Sequence, residues 1–192
     1  VVIVVFLITV SVILFIAGPV ILLQPRRRTS DFYRVLGLPI TPADLGLQYE
    51  EINVITTEGF KLNSWLIKST LPARGTILYL HGVADCKIDG IRHAKLLHDH
   101  GYNIFLYDAR RHGDSDGKFC TYGFYEKYDV LRIIDYLVSR TDITLGKIGI
   151  IGPDTLTHYW LQDVVFVFLA SAVLSPSGDP IWLLMMAVPL SI

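Results

Sequence analysis

The sequence has no charge bias. Seventeen Lys and Arg stand against 18 Asp and Glu, for a net charge of −1 and an isoelectric point near 6.6. A chain that neutralises phosphates carries a basic stripe, so a nucleic-acid partner is excluded. There are only two cysteines, Cys86 and Cys120, and they fit no metal or redox spacing. A disulfide scaffold is thereby excluded, and ordinary thiols are expected. Glycine-rich nucleotide fingerprints are also missing. Gly146, Gly149 and Gly152 lie before or within an apolar run instead of after it, and no P-loop occurs. Collagen and low-complexity disorder are ruled out by composition. One further absence is local, since no Lys or Arg follows Lys147.

What the chain does have is apolar residues, at 52% of 192. Soluble domains hold about 45–50%, and two segments carry the excess. The first is Val1 to Leu23, uncharged and broken only by Thr9, Ser11 and Gly18-Pro19. As a helix it would span about 34 Å, enough for a hydrocarbon core of about 30 Å. A signal-peptide core is shorter and ends in a small-residue cleavage site, which Gln24-Pro25-Arg26 does not offer. A core helix would keep a polar face over this length. A single-pass membrane anchor is expected, with the lipid bilayer as its partner. Arg26, Arg27 and Arg28 would favour the cytoplasm for this end. A basic segment ahead of Val1 would reverse that, so the side stays open.

The middle of the chain alternates between strand and helix patterns. Glu51 to Thr57 and Phe60 to Lys68 read as a hairpin with a two-residue turn at Glu58-Gly59. Thr76 to Leu80, Asn103 to Tyr107 and Lys147 to Ile151 are apolar runs without alternation, as in strands covered on both faces. Between them, Ile88 to His100 and about Tyr122 to Arg140 have helical stripes. The expected order is a hairpin followed by β-α-β-α-β, with helical crossovers joining parallel strands. Chemistry in such sheets gathers outside the carboxyl ends of the strands. That points to His81-Gly82, to Asp108 through Ser115, and to the residues after Gly152. His93, His98 and His100 share one helix and are expected to face solvent.

Four stretches now carry a family resemblance. They are Thr57 to Trp65, Ile77-Leu78-Tyr79-Leu80-His81-Gly82, Asp108-Ala109-Arg110-Arg111-His112-Gly113-Asp114-Ser115, and Lys147 to Gly152. In this order and spacing the chain resembles the α/β-hydrolase superfamily, in particular membrane-anchored serine hydrolases of the serine aminopeptidase and lysophospholipase-like group. The resemblance covers about Tyr49 to Gly152, roughly half of a catalytic domain. It implies an α/β fold, namely an α/β-hydrolase-like parallel sheet with an N-terminal β-hairpin, incomplete at the C-terminus and preceded by a transmembrane helix. The expected organisation is an anchor at 1–23, a linker at 24–48, the half-domain at 49–152 and an apolar tail at 153–192.

The same resemblance implies hydrolysis of ester, thioester or amide bonds in a small acyl substrate, without a cofactor. It makes the backbone N–H groups of Val83 and Thr155 the oxyanion-hole donors, a fixed pair that needs no reorganisation as charge develops. His81 is expected to be a hydrogen-bonded turn residue, and Asp108, His112 and Gly113 to hold the loop after the fourth strand. Read from the residues alone, His112, Asp114 and Asp116 also sit at alternate positions that suit a metal, although Asp- and Gly-rich loops are commonly turns. No metal is expected.

The nucleophile position departs from the pattern. Where G-x-S-x-G would form a strained elbow, the chain reads Gly152-Pro153-Asp154-Thr155-Leu156. Aspartate replaces serine, and leucine replaces the last glycine. Little or no hydrolase activity is expected from such an elbow. One alternative is a non-catalytic, membrane-tethered remnant or interaction module. Another is catalysis with Asp154 as the nucleophile, since carboxylates do form covalent intermediates. The tail holds two short apolar runs, Val164 to Leu174 and Ile181 to Leu190. A frameshift or misjoined exon, a natural truncated variant, and a second hydrophobic hairpin all remain open. The loss of basic residues at the edge of the resemblance favours the first two.

Overall fold

The computed structural model describes residues 2–143 and 147–152. The first element, α1 (Val2–Leu23), is a helix of 22 residues with a mean hydropathy of 2.8, none of it buried in the protein. Pro19 has no N–H to give, and the helix accommodates it by widening over Ile13–Ala17, where Gly18 N–H reaches back to Ile13 O.

The segment expected as a linker is folded. It forms α2 (Ser30–Val35) and a short 3-10 turn at Pro42–Leu45 closed by a capping box between Thr41 and Asp44. Tyr33 and Leu47 are buried, and Leu38, Ile40 and Leu45 pack behind them. Apolar residues spaced along an irregular stretch gave no period by which to place them.

Five strands follow among the described residues: β1 (Glu50–Ile55), β2 (Lys61–Ile67), β3 (Gly75–Tyr79), β4 (Asn103–Tyr107) and β5 (Lys147–Ile151). Their order in the sheet is β1-β2-β4-β3-β5. β1 and β2 are antiparallel, as are β2 and β4, while β4, β3 and β5 run parallel. This is the expected hairpin joined to a β-α-β-α-β unit. The hairpin turn is one residue longer than the sequence suggested. Gly59 N–H donates to Thr56 O and Thr56 N–H to Phe60 O, with Gly59 at φ +85°. A left-handed glycine closing a three-residue loop matches the strand twist without a Cβ penalty.

β3 and β4 are buried along their whole length, because a helix covers each face. On one side α3 (Ile91–Asp99) lays Ile91 and Ala94 against Trp65, Ile67, Tyr79, Ile104 and Leu106. On the other, α4 (Glu126–Ser139) lays Val130, Ile133 and Leu137 against Leu62, Leu66, Leu78, Phe105 and Tyr107. Alternate residues of one strand therefore enter different cores, the period of two expected of a pleated strand. His93 departs from the solvent-facing expectation. Its ring stacks on Tyr79 with centroids 5.5 Å apart, since the helix turns that side toward the sheet.

Candidate functional site

The carboxyl ends of β3, β4 and β5 lie together, and Leu80 N–H donates to Ile151 O at 2.8 Å to keep them level. The loop after β3 turns at Gly82, whose carbonyl accepts from Asp85 N–H, and passes through Ala84 at φ +63°. A left-handed alanine is held only where its surroundings overdetermine it. Here the clamp is His112, whose Nε2 accepts from Ala84 N–H at 3.2 Å. Its Nδ1–H donates to Arg110 O at 2.9 Å, which sets the tautomer.

His81 works the other way across the same gap. Its Nε2 accepts from Ala109 N–H at 2.9 Å, and its Nδ1–H donates to Gly82 O at 2.8 Å. The two rings lie 4.8 Å apart. Burial lowers the pKa of both, His81 to about 4, because an enclosed imidazole resists charging. Both histidines are thus neutral braces that tie the β3 loop to the β4 loop.

Beneath them lies a buried ion pair that the sequence did not disclose. The Asp108 carboxylate accepts from Lys87 N–H and Lys87 Nζ, both at 2.6 Å, and from Asp114 N–H at 2.9 Å. Lys87 Nζ also reaches Asp114 at 3.0 Å and lies 4.6 Å from the centre of the Trp65 ring. Burial alone would lower the Lys87 pKa, but Asp108 and Asp114 outweigh it and hold the ammonium charged. Lys87 and Asp108 are 21 residues apart, beyond any local spacing rule.

Gly113 is fixed by the same pair. It stands at φ +43°, and a Cβ there would fall 2.3 Å from the Asp108 carboxyl. Ser115 Oγ donates to Asp108 O, and Asp116 takes Lys61 N–H, so the loop is sewn to β2 as well. His112, Asp114 and Asp116 are turned to three different partners and do not converge on one point.

Val83 is exposed at the tip of the β3 loop. Among the described residues, its N–H has no acceptor. Gly152 follows β5 directly, on the same rim. Asp154, Thr155 and the two apolar runs of the tail lie outside the described residues.

A second feature missed in the sequence joins α1 to this rim. Arg28 N–H donates to Ala84 O at 3.3 Å, and Arg28 Nη1 to Asp85 at 2.7 Å. Asp85 also takes the Tyr33 hydroxyl and Cys86 N–H. The arginine run after the apolar segment was visible, but its partner 57 residues away was not.

Comparison with known proteins gives two kinds of likeness. Over 118 residues the chain is 32% identical to the Alpha/beta hydrolase domain-containing protein WAV2 of Arabidopsis thaliana, covering 59% of this chain and 37% of that protein. It is 42% identical over 77 residues to the Uncharacterized protein YqkD of Bacillus subtilis, covering 40% of this chain and 25% of the relative. The chain therefore spans roughly a quarter to a third of these curated relatives' length. Among solved structures, the Pyrococcus furiosus esterase Pf2001 superposes with a TM-score of 0.58 at 28% identity, over 67% of this chain and 48% of that one. In a second crystal form the same esterase covers 83% of this chain at a TM-score of 0.62. The other likeness is to the Sec-independent protein translocase protein (TatC) family, over residues 141–189. The residues of this second likeness include β5, which the sheet pairs with β3. The described residues after α2 have the α/β-hydrolase fold.

Proposed function

We propose that residues 49–152 form the acyl-binding half of a serine-hydrolase-type domain, of the serine aminopeptidase and lysophospholipase-like group, tethered to a membrane through residues 1–23. In this 192-residue chain the half-domain has little or no hydrolase activity. The observation that carries the reading is the Val83 N–H, without an acceptor among the described residues, on a loop braced by two neutral histidines beside the end of β5. A fixed donor at that place suits a developing oxyanion, with Thr155 N–H as its partner. The esterase likeness supports an ester or related acyl bond as the group bound.

Asp154 and Leu156 are why turnover is not proposed. A carboxylate at the elbow gives no alkoxide, and a leucine crowds the approach that glycine allows. A serine-reactive fluorophosphonate probe tests this on the full chain. No covalent labelling is expected, and labelling would overturn the inactive reading. An epoxide-opening assay examines Asp154 in its own right. Turnover abolished by Asp154→Asn would establish the carboxylate nucleophile instead.

The translocase likeness favours a second reading for the tail alone. Residues 153–192 are then a membrane-associated segment joined to a hydrolase half-domain at Gly152. Sequencing the coding DNA across the Gly152 codon separates the cases. A frame that restores serine and glycine in the elbow would make the join a frameshift, and its product a serine hydrolase. A single open frame through both parts would make the join genuine.

A further inference from the structure

The end of α1 is attached to the site rim by more than the Arg28 contacts. The last carbonyls of a helix have no partner within it, and here a second loop supplies them. Cys120 N–H donates to Leu23 O at 2.8 Å, and the Tyr122 hydroxyl donates to Leu22 O at 2.6 Å. Arg27 Nη2 adds a bond to Gly117 O. This loop is itself fixed, since Glu126 accepts from Thr121 N–H, the Thr121 hydroxyl and Gly123 N–H.

If α1 crosses a bilayer, Leu23 marks the edge of the hydrocarbon core. Groups bonded to Leu22 and Leu23 must then lie at the headgroup level, however the helix tilts. The side chains beside them suit that level. Phe119, Tyr122, Phe124, Tyr125 and Tyr128 are all exposed, as is Val83 on the neighbouring loop. Lys127 lies within 5.9 Å of the Phe124 ring centre and 5.1 Å of that of Tyr128. Aromatic rings with basic neighbours are the composition of a membrane–water interface.

We propose that the rim formed by Val83 and the loop 117–125 is a docking surface for the lipid bilayer, so that the site opens onto the headgroup region. The inference rests on the anchor reading given above and goes beyond it, because an anchor alone leaves the domain free to face water. An acyl ligand at the Val83 N–H would then arrive from the adjacent leaflet.

Bimane fluorophores on single introduced cysteines test this in the full chain. The positions are Phe6→Cys in α1, Phe124→Cys on the rim, and Leu71→Cys at the opposite, amino-terminal end of β3. All three residues are exposed, so the fold tolerates them. Cys86 and Cys120 are buried, with thiols pushed up in pKa, Cys86 to about 12, so they label slowly. The chain is placed in phosphatidylcholine–phosphatidylglycerol vesicles whose phosphatidylcholine is brominated near the top of the acyl chain. The probes at 6 and 124 are expected to lose most of their emission, while the probe at 71 keeps its own. Quenching at 6 with equal, weak quenching at 124 and 71 would leave the anchor standing and overturn the docking surface. Quenching at all three would show non-specific adsorption and also overturn it. No quenching at position 6 would remove the anchor and the docking surface together.

Discussion

α1 and the strand pair β3/β4 are built from the same residue types and meet opposite fates. The strands are five residues each, and every residue is buried. The helix is 22 residues long and none of it is buried. Short apolar runs cannot satisfy their own backbone, so they pair with neighbours and are covered by helices. A long apolar helix closes its hydrogen bonds within itself and leaves only its side chains to be accommodated. Length, more than composition, decides whether an apolar run is buried in the domain.

That contrast predicts unequal costs for equal changes. Phe105→Ala removes a ring from the middle of β4 and is expected to cost about 3–5 kcal/mol. Phe15→Ala, on α1, is expected to shift stability by less than about 0.5 kcal/mol. Denaturant unfolding in detergent micelles, followed at the buried Trp65 region, compares the two. Equal losses would mean that α1 packs against the domain.

A smaller but still large effect is expected where the buried region holds charge. Asp108→Asn leaves the buried Lys87 ammonium with only the exposed Asp114 carboxylate as counter-charge, at a cost of about 3 kcal/mol. The double variant Asp108→Asn with Lys87→Met should recover part of it, since the stranded charge is gone. A double variant worse than the sum of the singles would contradict the pairing.

A further effect is a pH dependence confined to the rim. An unfolded histidine takes up its proton near pH 6.5, whereas His81 in the fold does so at about 4. The folded chain therefore binds fewer protons between these values. The contribution of His81 is complete above pH 6.5 and is lost as pH falls toward 4. The protection factors of the Ala84 and Ala109 amides, corrected for the intrinsic slowing of exchange as pH falls, should drop through that window, before the sheet itself opens. Protection factors flat from pH 7 to 4 would exclude the histidine braces.

The sheet was legible because its signals are local. Asn103–Tyr107 lies between Gly101 and Asp108, and Lys147–Ile151 between Gly146 and Gly152, so strand breakers stand close to the ends of both. The loops 81–84 and 108–115 were legible as neighbours because parallel strands bring their carboxyl ends to one rim. The contents of that rim were less so. Lys87 precedes a helix like any surface lysine, and only the tertiary fold brings it under Asp108. Tyr33 lies in a stretch without period, and its burial depends on packing from β2 and β3. His93 was misplaced because a short helix with apolar residues at only a few positions leaves the edge of its buried face undefined.

Asp85 also determines where the chain can be shortened for work in solution. Its carboxylate takes Arg28 from one side and Cys86 N–H, on the rim, from the other. A version beginning at Gln24 would shed the apolar helix and keep both contacts. One beginning at Gly37 would look tidier on a secondary-structure diagram. It would leave Asp85 without its cation and open the space that Tyr33 fills. The boundary between the unburied apolar helix and the part that folds therefore falls before the arginines, at the last turn of α1.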